Sequence, residues 1–221
     1  MKIHQYTLTI LFSVILFNSS AQAQFSLGIR GGYVRAWEEY GDVNLPADAR
    51  IHVDRMQYTA LAYYSINKYL RVGVEPGFVQ RGAACIPGWV EAPGGFTGDT
   101  KFLLNYVELP IMIQGSLPVF KQLHLQAKAG YGISYIVSAS METSFPGTDQ
   151  PSVMSKLDFA ANPNLRKWDN GLYGAAGFAY YFGKNQLFAE TVFYAASRDF
   201  DQENTSKNRS IHIGIGYMRS F

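Results

Sequence analysis

From Gln24 onward, hydrophobic and polar positions alternate with period two, and helical periodicity is weak everywhere. In "LHLQAKAGYGISYIV" (123–137), Leu123, Leu125, Ala127, Ala129, Tyr131, Ile133 and Tyr135 share one face. His124, Gln126, Lys128, Gly130, Gly132 and Ser134 share the other. The same alternation predicts eight strands, over 24–36, 55–66, 69–82, 101–116, 121–138, 169–183, 185–197 and 208–221. Short links at 66–68, 118–121 and 183–185 alternate strictly with long ones at 37–54, 83–100, 139–168 and 198–207. In an up-and-down barrel this gathers the short turns at one rim and the long loops, rich in Pro, Gly, Asp and Asn, at the other. Both chain ends then fall at the short-turn rim.

The composition of the two faces decides which one turns outward. Ile211, Ile213, Ile215 and Tyr217 oppose His212, Gly214, Gly216 and Ser220; Val107, Leu109, Ile111 and Ile113 oppose Tyr106, Glu108 and Gln114. The predicted second and sixth strands are apolar on both faces and do not discriminate. A strand face in water usually carries many Lys, Glu, Thr and Arg, whereas this polar face is mostly Gly, Ser and Ala with a charge or two per strand. Small residues suit the cramped lumen of an eight-stranded barrel, and the large aliphatic and aromatic residues opposite suit a lipid-facing band. The expected fold is all-β: an eight-stranded antiparallel up-and-down transmembrane β-barrel. A soluble lipocalin-like ligand-binding barrel is the alternative, with the faces reversed.

That orientation turns Glu75, Glu108 and Glu190 inward together with Arg30, Arg71 and Lys128, three acids and three bases on one face. A lone carboxylate in an apolar strand is costly unless paired or solvated, so these six are expected to satisfy one another as a structural charge network in a plugged lumen. Pro76 and Pro110 lie beside two of the acids, and their missing donors suggest local bends there. Trp37, Tyr64, Tyr69, Trp168 and Tyr181, near strand ends, fit interfacial girdles. The terminal aromatic Phe221 resembles the signal read by the barrel assembly machinery, with Arg219 departing from the usual apolar residue.

The ends and the composition narrow the setting. Residues 1–23 read as a cleaved signal peptide: a short polar start, the apolar run "LTILFSVILF", and "AQA" ending at Ala23. The barrel domain is then 24–221. No cysteine follows the site to carry a lipid, and the single Cys85 can form no internal disulfide. The net charge of +2 gives no basic patch for nucleic acid. The chain is expected in a bacterial outer membrane, in contact with its lipid.

Four segments carry a resemblance: "FSLGIRGGYV", "VGVEPGFVQRGA", "NYVELPIMIQ" and "AKAGYGISY". With them the chain resembles the PorT-like outer-membrane β-barrel family of Bacteroidota across nearly all of the mature sequence. The sharpest parts are Tyr106, Glu108 and Pro110, as Y-x-E-x-P, and Glu75. The resemblance implies an outer-membrane barrel. A place in a protein-secretion assembly belongs to the family's namesake and does not transfer to a functionally mixed family.

Catalytic and cofactor chemistry leaves little trace. His52, His124 and His212 have no metal-ligand spacing with one another or with Cys85. "GLYGAAG" (171–177) does not open a helix, so strand packing explains it better than phosphate binding. His52 and Asp54 could serve a lipid enzyme at the rim, but no serine is placed beside them. No enzyme activity, metal or cofactor is expected. The remaining readings are a structural or binding barrel with a protein partner at its long loops, a component of an envelope secretion assembly, a rim enzyme and a soluble barrel.

Overall fold

The computed structural model describes residues 25–40, 52–84, 90–92, 96–145, 152–200, 202 and 206–221. The signal-peptide reading over 1–23 and Cys85 lie outside them. Eleven strands follow in chain order: β1 (Phe25–Tyr40), β2 (Val53–Ser65), β3 (Leu70–Val74), β4 (Gly77–Ala84), β5 (Val90–Ala92), β6 (Phe96–Pro118), β7 (Leu123–Ser144), β8 (Val153–Lys156), β9 (Trp168–Phe182), β10 (Asn185–Ala196) and β11 (Ser206–Ser220). β3 and β4 form one stave, broken at Glu75–Pro76. The staves run β1, β2, β3/β4, β6, β7, β9, β10, β11, each antiparallel to the next. Pairing of β1 with β11, from Ser26 opposite Ser220 to Tyr40 opposite Ser206, closes the ring. All eight expected strands are present, with tight links at 66–69, 119–122 and 183–184.

The break at Glu75–Pro76 has a backbone cause. Glu75 N–H donates to the Pro110 carbonyl at 3.0 Å, but Pro110 has no N–H to return. Ala60 N–H donates to the Pro76 carbonyl at 2.9 Å, and Pro76 likewise returns nothing. Two-bond exchanges therefore shrink to single bonds on both sides of this stave. The expected bend occurs at Pro76. Pro110 makes none: β6 runs straight through it, because its missing donor faces the partner strand's own break. The irregularity in β6–β7 lies elsewhere, where the register shifts between Asn105 and Tyr106.

The shift explains why the alternation signal fails at 138. Val137 and Ser138 are both exposed, consecutive residues on one face, which is the mark of an extra residue in β7. Beyond it β7 continues to Ser144, and two strands that alternation does not reveal, β5 and β8, pair with the extensions of β6 and β7. The expected long links 83–100 and 139–168 thus contain strand as well as loop.

Outward-facing residues form a continuous apolar belt: Ile29, Tyr58, Ile111, Ile113, Ile133, Leu172, Phe178, Ile213 and Ile215 are all more than two-fifths exposed. On β6 it runs from Val107 to Leu117. Ten residue steps of about 3.3 Å, tilted by about 40°, give a height of about 25 Å, the thickness of an outer-membrane apolar band. At its upper edge the side chains turn polar. Gln80 donates to Asn105 (3.2 Å) and Asn105 to Ser138 (2.7 Å) across three staves, and Arg35 pairs with Asp54 at 3.0 Å. Tyr64, Tyr69 and Trp168 are exposed as a girdle requires. Tyr181 is not: it falls on the inward parity, with its ring 4.4 Å from His124 and its hydroxyl accepting from Gln126. Its neighbours Tyr180 and Phe182 take the outer positions.

Candidate functional site: the ionic lumen and its two mouths

Four of the six charges expected inside meet in one ring. Arg30 Nη1 lies 2.9 Å from Glu75 Oε2 and also binds Glu190. Lys128 Nζ lies 2.8 Å from Glu75 Oε1 and 2.9 Å from Glu190 Oε2. Tyr63 donates its hydroxyl to Glu75, and Arg30 reaches Thr59 at 3.4 Å. These four charged residues come from β1, the β3/β4 break, β7 and β10, which are the first, third, fifth and seventh staves. A layer built from alternate strands is the packing solution an eight-stranded barrel offers. Here the layer alternates in sign, cation, anion, cation, anion, so every charge sits between two opposites. All four side chains are almost wholly buried.

Glu108 belongs to a second cluster. It pairs with Arg81 on β4 and accepts from the Tyr173 hydroxyl at 2.9 Å. The Arg81 guanidinium is completely buried, 3.9 Å from the Tyr194 ring centre and 5.3 Å from that of Tyr106. Arg71, expected in the network, is not in it. It sits near the short-turn mouth, donating to Gln186 at 3.1 Å and lying over Tyr181 at 5.7 Å. Among the described residues it makes no ion pair, because it is the second residue of its stave and both charged clusters lie deeper. The buried ion pairs thus join three cations to three glutamates, with Arg81 in place of Arg71, and Asp169, which accepts from Asn208 at 3.3 Å, and Glu38 are buried above them. The signal that would have found Arg81 is simple parity: 75, 77, 79 and 81 share a face.

Glycines make room for this filling. A Cβ at Gly132 would meet Tyr173 at 2.9 Å, one at Gly171 would meet Tyr194 at 2.7 Å, and one at Gly73 would meet Tyr63 at 2.6 Å. Large rings on one stave lie across bare backbone on the next and fill the interior at these heights. Higher up, Ser210 Oγ lies 2.7 Å from His212 Nε2, and His212 Nδ1 lies 2.6 Å from Gln57 Oε1. The Gln57 oxygen requires the proton on Nδ1, so Nε2 accepts from Ser210. This resembles a nucleophile, base and orienter, but Ser210 and His212 are fully buried among lumen side chains.

The long-loop mouth is capped by apolar residues. Val34, Val79, Leu104, Ile136 and Phe200 form a cluster against which Leu157, Phe159 and Leu165 of the β7–β9 link pack. Arg166 N–H to the Phe200 carbonyl (3.0 Å) and Gln202 N–H to the Asn164 carbonyl (3.2 Å) tie this link to the β10–β11 link. The other mouth is lined by Ser26 with Ser220 (2.9 Å) and Ser116 with His124 (3.2 Å). Phe221 N–H extends the β1 ladder by donating to the Phe25 carbonyl at 2.8 Å. At the outer edge of the long-loop rim, His52 is exposed, and Asp54 is engaged by Arg35, whose hydrogen bond holds the carboxyl below its ordinary value. His52 adds a smaller effect of the same sign, and among the described residues no hydrogen bond or ion pair joins it to Asp54.

No family model matches the chain, and no curated relative matches it. Among solved structures it is similar to Neisserial surface protein A, NspA, at 13% identity and TM-score 0.46, covering 88% of this chain and 97% of that one. It is similar to the outer membrane protein OprG from Pseudomonas aeruginosa at 14% and 0.46, covering 91% and 98%. It is also similar to Ail, the attachment invasion locus protein of Yersinia pestis, in complex with the heparin analogue sucrose octasulfate, at 14% and 0.41, covering 90% and 99%.

Proposed function

We propose that this chain is a small outer-membrane barrel with a sealed ionic lumen, a non-catalytic scaffold that binds a partner through its long-loop end. The observation that carries the reading is the apolar belt, about 25 Å tall, around an interior filled by paired charges and aromatic rings. Such a belt has no stable place in water. Paired charges and rings fill the middle of the lumen, so the surface for recognition is the long-loop end, where strand extensions rise above the belt on a rigid frame. A signal peptide over 1–23, insertion by the barrel assembly machinery and recognition of Phe221 complete the proposal.

The orientation is testable with the chain's own cysteine. A membrane-impermeant maleimide applied to intact cells labels Cys85, in the β4–β6 link. A cysteine introduced as Lys184→Cys in a Cys85→Ala background is labelled only after the envelope is broken. Labelling of position 184 alone in intact cells reverses the orientation.

A second reading, a component of an envelope secretion assembly, is supported by the resemblance of "VGVEPGFVQRGA" and "NYVELPIMIQ" to the PorT-like family of Bacteroidota. A stoichiometric partner that co-purifies in mild detergent favours it; isolation as a lone chain favours the first.

A further inference from the structure

The charged side chains of the short-turn rim are all of one sign. Each of its three tight links holds one lysine, Lys68, Lys121 and Lys184, and Arg219 stands at the end of β11. All four are exposed, and among the described residues none forms an ion pair. No Asp or Glu falls within 64–72, 114–126, 180–188 or 216–221. Among the described residues, Glu75, Glu108 and Glu190 are locked in the lumen and the other acids belong to the long-loop half.

The placement is regular. The links join staves two to three, four to five and six to seven, and Arg219 lies on stave eight, so the cations recur at about quarter-turns of the ring. Each stands beside an exposed aromatic at the edge of the apolar belt. Lys68 Nζ is 4.7 Å from the Tyr69 ring centre, and the Arg219 guanidinium is 5.8 Å from that of Phe221. Phe120 precedes Lys121, and Phe182 lies two residues before Lys184. A protein partner docks on one side and needs a one-sided patch. A complete annulus of cations, level with aromatic side chains and continuous with the belt, matches a surface that surrounds the barrel on all sides.

We propose that this rim is a binding annulus for anionic phospholipid headgroups in the leaflet that meets the short turns. The proposal rests on the membrane-spanning reading and names the lipid class that reading leaves open. The lysines hold headgroup phosphates while the aromatics fix the depth of the ring.

The test uses the full mature chain in vesicles of three parts phosphatidylethanolamine to one part phosphatidylglycerol, with trace spin-labelled lipid of either kind. Heat-dependent gel mobility first establishes that the barrel is inserted, so a failed membrane reading is separable from a failed lipid preference. At low salt, labelled phosphatidylglycerol is expected in the motionally restricted shell about five-fold over phosphatidylethanolamine. The preference should fall towards unity in K68Q/K121Q/K184Q and in molar salt, and persist in K68R/K121R/K184R. An inserted barrel with equal restriction of both lipids overturns the proposal. So does a preference that the glutamine variant retains. Lysine-dependent capture of soluble peptidoglycan fragments without any lipid preference overturns it in favour of a polymer ligand.

Discussion

Arg81 is the residue on which the upper lumen turns. Its buried guanidinium holds Glu108, and among the described residues no other acid lies within ion-pair range of Arg81. Glu108→Leu therefore leaves a buried charge uncompensated, a change that costs about 3–5 kcal/mol. Urea unfolding of the lipid-inserted barrel should show that loss, and the double variant R81M/E108L should recover most of it. A single variant as stable as the parent contradicts the pairing. The central ring behaves differently, because each of its charges has two opposite neighbours. Lys128→Met strips one contact from both Glu75 and Glu190 yet leaves Arg30 on each. We expect a smaller loss, nearer 2 kcal/mol, measured in the same way; a loss equal to that of Glu108→Leu would mean that the ring does not share its charges. The three inward glutamates were legible in the sequence because carboxylates in apolar alternation need an explanation. Arg81 was not, because it closes "VGVEPGFVQRG" at the edge of a loop signal, beyond the proline that interrupts the strand.

Closure between β1 and β11 depends on small inward residues. Gly32 faces Gly214 across that seam, and a Cβ on Gly32 would fall on the Ile213 carbonyl and within 2.8 Å of the Gly214 Cα. Backbone cannot yield as a flexible side chain does, so Gly32→Val should block the seam and abolish the compact, heat-sensitive gel band. Gly31→Val, one residue away on the outer face, where a Cβ would meet only the Tyr58 ring at 4.0 Å, should keep that band. If both variants retain it, the seam is not where the ring closes. Strand number and order were readable from alternation and link length, since one buried face fixes parity over long runs. Strand ends at the long-loop side were not. Above the belt the exterior is polar, so β6 and β7 lose their alternation there, and the extra residue at Val137–Ser138 inverts parity at the same height. β5 and β8 are too short to show a period at all.

At the scale of the molecule, the chain separates its chemistry by height and by face. Cations ring one rim, most acids gather at the other, buried pairs fill the middle, and the outside between the rims is hydrocarbon. This division follows from one condition: the oily face turns out. Reversing it would turn the isoleucines of β6 and β11 into the lumen and set Arg81, Tyr106, Tyr194 and the ionic ring on the outer surface. The most direct measurement is size-exclusion chromatography of the refolded mature chain with and without amphiphile. We expect aggregation in plain buffer, and in detergent one compact species whose gel mobility shifts on heating. A monodisperse folded monomer in plain buffer would contradict the outward-facing belt and everything built on it.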